Sequence, residues 1–241
     1  MKLVTIIPAR LGSERIKLKP LLKIGGKTMI RHTVERVLRG NIGPVAVASD
    51  SELVLDEVRN LESVVPIMTS DRHTCGTERV LEAYHKLASD SGDYDVIINV
   101  QGDEPFISPD LISCLPAELE KRKEIAQFWT TITELKEFEK GDRNVAKVVM
   151  DLKQNALIFT RDDIQCAWKH TSIYMYTPDF LKIFCELPRS PLEMAYSLEQ
   201  MRALEHGYRL NCIPLPYDAI SINTVEDLAK AGIQDFTLFK G

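Results

Sequence analysis

The sequence has no surplus of positive charge, no long apolar run, no close pair of cysteines and no stretch of low complexity. Each absence removes a class of protein. Its 241 residues carry 30 Lys and Arg against 35 Asp and Glu, a formal net charge of −5. A chain built for nucleic acid wants a broad basic face, so nucleic acid is not an expected partner. No apolar stretch approaches the length of a membrane span, and the chain enters its first strand without the pattern of a secretory signal. A cytoplasmic protein with no membrane partner is the expectation. Cys75, Cys114, Cys166, Cys185 and Cys212 are widely spaced, which suggests reduced thiols in place of a disulfide framework or a zinc site. There is neither a Walker loop nor a GxGxxG turn.

What is present reads as a globular α/β chain. Hydrophobic residues make up 44% and charged residues 27%, too apolar a mixture for disorder. Apolar runs at 2–8, 44–49, 63–68 and 94–103 predict strands buried on both faces. They alternate with helical patterns at 27–40, 50–61, 76–89 and 109–122, the last with Pro116 placed to split it. Such alternation describes a mostly parallel sheet with helices on both faces. From about residue 126 the rhythm changes. Residues 146–161 predict two strands around a turn, 170–176 a third, 190–207 one long helix with Gly207 as its stop, 208–216 a strand and 224–233 a capped final helix.

Ligands of parallel sheets sit outside the carboxyl ends of the strands. That rule singles out two loops. "ARLGSERIKLK" (9–19) gathers Arg10, Arg15, Lys17 and Lys19 in an otherwise acidic chain, a pattern suited to a polyphosphate, though also to solvated surface. "VQGDEPF" (100–106) sets Asp103 and Glu104 after Gly102, where a carboxylate facing phosphates is a natural magnesium ligand. "CGTERV" (75–80) serves equally as a plain helix start or as backbone against a base. His170, Tyr174 and Tyr176 share one face of their strand, a face that also suits a half-buried sheet.

Taken together, the motifs resemble those of the 3-deoxy-manno-octulosonate cytidylyltransferases, the CMP-Kdo synthetases. The family's PAR-x-x-S-x-R-x-x-x-KPL loop is matched by Pro8, Ala9, Arg10, Ser13, Arg15, Lys19, Pro20 and Leu21. Its SGT[DE]R is matched by Gly76, Thr77, Glu78 and Arg79, with Cys75 for serine. "INVQGDEP", "AKVV", Thr160–Arg161, the His170–Tyr176 strand and "SPLEMAYSLEQMRALE" follow in the family's order, so the likeness runs from about residue 2 to 233.

The resemblance implies a single cytidylyltransferase domain over 1–241, of the nucleotide-diphospho-sugar transferase type. Residues 145–176 form an antiparallel extension on the dimerisation or sugar side. It implies transfer of CMP from CTP to an acidic sugar, with release of pyrophosphate, for lipopolysaccharide biosynthesis. Magnesium is the implied cofactor and a homodimer the implied assembly. Arg10, Lys19 and Asp103 are the implied catalytic residues. Ala9, Arg10, Arg15, Lys19, Cys75, Gly76 and Gln101 would bind nucleotide. Gln101, Arg161, His170, Tyr174, Glu199 and Gln200 would meet the sugar, and Asp103 with Asn223 the metal.

The chain also departs from that pattern. Lys17 and Leu18 replace proline and glycine in the first loop, and leucine does not take a positive φ cheaply, so a different bend is expected there. The loop after Ile164 is shortened. Asn223 stands where the family has an aspartate, which leaves a neutral oxygen for the metal. Alternatives therefore stand beside the first reading: another ulosonic acid such as a sialic-acid relative, a uridylyl transfer, or a catalytically silent nucleotide-binding homologue.

Overall fold

The computed structural model describes residues 1–12, 16–218 and 221–238, with the backbone alone for residues 90 and 91. The chain divides into two compact units, Met1–Pro116 with Ala219–Gly241, and Ala117–Asp218.

In chain order the first unit holds β1 (Leu3–Ala9), β2 (Lys23–Ile24), β3 (Lys27–Thr28), α1 (Met29–Gly40), β4 (Val45–Ser49), α2 (Glu52–Asp56), β5 (Val64–Met68), α3 (Gly76–Ser91) and β6 (Val96–Val100). Helix α4 (Pro109–Arg122) follows, with Pro116 inside it and no break. The expected split at Pro116 does not occur. Within this unit the sheet strands run β6-β1-β4-β5, with every pairing among them parallel. Every residue of β1, β4 and β6 is buried, as the continuous apolar runs require. The helix expected over 50–61 closes after Asp56 and ends in turns.

The second unit holds β7 (Phe128–Thr133), β8 (Lys147–Met150), β9 (Ala156–Thr160), β10 (Trp168–Tyr176), α5 (Pro178–Glu186), α6 (Pro191–Tyr196), α7 (Met201–Glu205) and β11 (Asn211–Pro214). Its strand order is β11-β7-β10-β8-β9, with β11 parallel to β7 and the other pairs antiparallel. Strand β7, "FWTTIT", is fully buried and was not foreseen. Its three threonines interrupt the apolar pattern, yet the Thr130 and Thr131 hydroxyls find partners inside the sheet.

The chain then returns to the first unit as α8 (Val225–Lys230) and β12 (Phe236–Thr237). Helix α8 has the expected cap: the Thr224 hydroxyl accepts from Asp227 N in a capping box. Strand β12 joins β2 and β3 in a small antiparallel sheet. Ile16, Leu22, Ile24 and Met29 pack with Ile222 and Leu228 in one buried cluster. That cluster brings the end of the first loop and the segment before α8 side by side.

Candidate active site

Three loops meet beyond the carboxyl ends of β1 and β6. Gly102 is the point of closest approach: a Cβ there would lie 2.9 Å from Pro8 O and 3.4 Å from Ala9 Cβ. The Gly102 carbonyl accepts from Thr33 Oγ1 at 3.2 Å. A Cβ on Gly76 would lie 3.5 Å from Pro8 Cγ and 3.6 Å from Gln101 Oε1. The stretches 8–9, 75–76 and 101–103 are thus immediate neighbours. Ala9 is buried, Arg10 is exposed just beyond it, Cys75 is the N-cap residue of α3, and Gln101 donates to Asn99 Oδ1. Arg15 lies outside the described residues.

Lys19 sits on a 3-10 turn over Lys19–Leu21, whose preceding residue, Leu18, has φ 53° and ψ 37°. Leu18 therefore takes the left-handed conformation that a glycine favours, at a cost of roughly 1–2 kcal/mol, and the different bend expected for this loop is not needed to place Lys19. Buried Pro20 and Leu21 anchor the turn. The Lys19 ammonium donates to Asp103 Oδ2 at 2.5 Å and to Asn223 Oδ1 at 3.2 Å. Backbone bonds hold the partners in place. Ile222 N donates to Asp103 O at 3.0 Å, and Asn223 N donates to Asp227 Oδ2 at 2.9 Å. A carboxylate and a neutral amide oxygen thus converge on one cation, as ligands of a metal would.

Two residues supporting this region carried no role in the sequence reading. The buried guanidinium of Arg79 donates to Asp50 Oδ2 at 2.8 Å and to Thr69 Oγ1 at 2.5 Å. Asp50 in turn accepts from Leu11 N at 3.4 Å. A carboxylate at the carboxyl end of β4 was the available signal for Asp50.

Of the residues expected to meet a sugar, Gln101 lies in the first unit, and Arg161, His170, Tyr174, Glu199 and Gln200 gather in the second. Strand β10 shifts register between His170 and Tyr174, with Ser172 at φ 56°. The shift is even: His170 pairs with Ile132 and Tyr174 with Thr130. The two side chains therefore stay on one face, their rings 5.3 Å apart. Tyr174 Oη donates to Gln200 Oε1 at 2.9 Å.

Thr130, an unremarkable residue in the sequence, fixes the state of His170. Its hydroxyl donates to Ile173 O at 2.7 Å. Its single proton being used there, Thr130 Oγ1 accepts from His170 Nε2 at 2.8 Å. Burial, with the Arg161 charge adding to it, lowers the His170 pKa to about 3. The ring is neutral, protonated on Nε2, with Nδ1 as a bare acceptor. Burial also pushes the Tyr174 phenol well above its usual value, and Glu199 adds to the shift. Among the described residues neither His170 Nδ1 nor Gln200 Nε2 has a hydrogen-bond partner.

The long helix expected over 190–207 is two helices. Ser197, at φ 53° and ψ 49°, ends α6, and α7 begins at Met201. Glu199 and Gln200 lie at the corner between them, where one straight helix would have left them on its surface. Glu193 and Arg202 brace the corner. Arg202 Nε and Nη2 donate to the two Glu193 oxygens at 2.9 and 2.6 Å, and both side chains are buried. Arg161 ties in beside them, donating to Tyr196 O at 2.9 Å and to Arg143 O and Asn144 O at 3.1 Å.

Residues 4–210 match the Cytidylyltransferase family model. The chain is 37% identical over 239 residues to the 3-deoxy-manno-octulosonate cytidylyltransferase of Syntrophus aciditrophicus, covering 95% of both chains. It is 38% identical over 239 residues to the enzyme of that name from Zea mays, covering 94% of this chain and 78% of that one. Among solved structures, CMP:2-keto-3-deoxy-manno-octonic acid synthetase complexed with CTP matches with a TM-score of 0.85 and 34% identity, over 96% of this chain and 97% of that one.

Proposed function

This chain belongs to the cytidylyltransferase family, in its 3-deoxy-manno-octulosonate (Kdo) branch, and from that premise we propose how its residues divide the work. The protein is a nucleotidyltransferase that activates Kdo with CTP, giving the CMP-sugar and pyrophosphate. The observation that carries the assignment of roles is the meeting of Lys19, Asp103 and Asn223 beyond the carboxyl ends of β1 and β6.

In the reaction the anomeric hydroxyl oxygen of the sugar attacks the α-phosphorus of CTP. The bond from that phosphorus to the bridging oxygen breaks, pyrophosphate leaves with the electron pair, and the hydroxyl proton passes to solvent. Such a step needs alignment and charge stabilisation more than covalent help. Arg10, Arg15 and Lys19 grip the triphosphate. Ala9, Arg10, Cys75 and Gly76 frame the cytosine, and Gln101 contacts both nucleotide and sugar. Arg161, His170, Tyr174, Glu199 and Gln200 meet the acidic sugar. The acceptor Nδ1 of neutral His170 suits a sugar hydroxyl, and the Gln200 amide N–H suits a carboxylate or hydroxyl oxygen.

Magnesium fits this site, since Asp103 and Asn223 already present two oxygens to one cation. When bound, magnesium neutralises charge on the triphosphate and on the departing pyrophosphate. Asp103 supplies the anionic oxygen and Asn223 a neutral one. We further propose a homodimer in the cytoplasm, where CTP is available. The β8–β9 hairpin, within the 145–176 extension, supports the dimer because it exposes Leu152 and Leu157.

Pyrophosphate release from CTP, magnesium and Kdo tests the reaction, and turnover is expected. CTP binding with no pyrophosphate from any acidic sugar would identify a silent homologue. Asp103→Asn is expected to abolish turnover while the far-UV circular dichroism is unchanged; substantial activity would place the metal elsewhere.

A further inference from the structure

The Lys19 ammonium occupies the place where the two proposed metal-holding oxygens converge. It lies 2.5 Å from Asp103 Oδ2 and 3.2 Å from Asn223 Oδ1, and its side chain is only 12% exposed. The three groups stand on separately anchored backbone: the 3-10 turn for Lys19, the β6 loop for Asp103 and the α8 cap for Asn223. The charges of the cluster sum to zero: one carboxylate, one ammonium and one neutral amide. A hard divalent ion binds through anionic oxygens at about 2.0–2.1 Å. An oxygen already receiving an ammonium proton at hydrogen-bond distance presents neither the charge nor the space.

We propose that Lys19 is the resident counter-ion of the Asp103–Asn223 oxygen pair, keeping a divalent cation off it until a triphosphate draws the ammonium away, so that nucleotide and metal enter together. The inference rests on the reading that Lys19 grips the triphosphate. A lysine suits such an exchange. Its charge is a compact point on a flexible four-carbon stem with three rotatable donors, so it can pass from carboxylate to phosphate without moving the buried turn that carries it. Once it does, Asp103 regains its full negative charge beside phosphate oxygens that complete the coordination of the ion. The nucleotide thus builds the metal site by removing its occupant as well as by adding ligands.

Manganese titration of the full chain, followed by the electron paramagnetic resonance of free Mn²⁺, tests this without turnover. The wild-type chain alone is expected to bind manganese at least tenfold more weakly than it does with CTP. Lys19→Met without nucleotide is expected to bind one ion per chain at least tenfold more tightly than the wild type, and Asp103→Asn added to it should remove the gain. Asn223→Asp with Lys19 retained leaves the cluster one negative charge and should also bind manganese more tightly than the wild type. If Lys19→Met does not fold by circular dichroism, Lys19→Gln takes its place. Equal nucleotide-free affinities for the wild type and the Lys19 variant would overturn the proposal, as would a gain that survives Asp103→Asn. Calorimetry of CTP in EDTA separates the underlying reading. Unchanged CTP affinity in the Lys19 variant would reject the phosphate contact and with it the release step, while the manganese comparison still decides the exclusion.

Discussion

His170 shows how one buried side chain can make the whole protein sensitive to acid. Its ring packs edge-on against Phe159 at 5.1 Å, and burial holds its pKa at about 3, against about 6.5 for a histidine in an unfolded chain. Between these values the unfolded state binds a proton that the folded state refuses. Stability is therefore fully present above about pH 6.5 and falls as pH drops toward 3, by up to ~1.4 kcal/mol per unit and on the order of 5 kcal/mol in all. Urea unfolding at pH 7, 5 and 4 is expected to show a shallower pH dependence for His170→Gln than for the wild type, and parallel profiles would reject the assignment. On the nucleotide side, Lys19→Ala and Arg15→Ala are each expected to weaken CTP by ~1.5–3 kcal/mol, the usual cost of losing a charge-assisted contact, with less effect on the sugar. Unchanged CTP affinity in both would remove the phosphate role.

Elements are held to one another by buried ion pairs whose loss should be felt at the site. The fork of Arg202 on Glu193 braces α6 against α7 and stacks over Phe184 at 5.0 Å. Burial alone would raise the Glu193 carboxyl, but the hydrogen bonds from Arg202 and Ser190 N hold it below the usual carboxylate range. Arg202→Met removes the two-pronged partner of that buried carboxylate and leaves it only the Ser190 amide and the exposed Arg189, at a cost of about 3 kcal/mol. Because Glu199 and Gln200 lie at the braced corner, the KM for Kdo is expected to rise several-fold with the KM for CTP nearly unchanged; equal changes in both would show general damage. The Arg79–Asp50 pair does the corresponding work for the first loop. Asp50→Asn should cost about 3 kcal/mol by chemical denaturation and weaken CTP through the loosened Leu11 amide, whereas a destabilised variant with wild-type CTP affinity would limit the pair to stability.

At the scale of the molecule, the chain carries net charge −5 while its first loop is cationic, a local field that favours a small polyanion over a long one. Asn223→Asp is expected to lower the magnesium concentration needed for half-maximal rate, because a second carboxylate then faces the ion; superimposable titrations would show that residue 223 does not touch the metal. Light scattering at micromolar concentration is expected to report a dimer, and Leu157→Lys on the exposed face of β9 should shift it toward monomer. A wild-type monomer would reject the assembly.

Much of this protein was legible in the sequence because the relevant physics is local. Strands β1, β4 and β6 are apolar on both faces and alternate with amphipathic helices, the pattern of a parallel sheet covered on both sides. The carboxyl-end rule then located the Arg10–Lys19 and Gln101–Asp103 loops without coordinates, and the ordered motifs named the family. What only the tertiary structure decided depends on packing between distant segments. Lys19 meets Asn223 across 204 positions, because the Ile16–Leu228 cluster brings those segments together. The two-residue strands β2, β3 and β12 are too short to leave a periodicity. The break at Ser197 opposes the helical spacing of its neighbours and persists because Glu193 and Arg202 lock the corner. The tautomer of His170 belongs to the same class, set by a threonine hydroxyl on another strand whose proton is already committed.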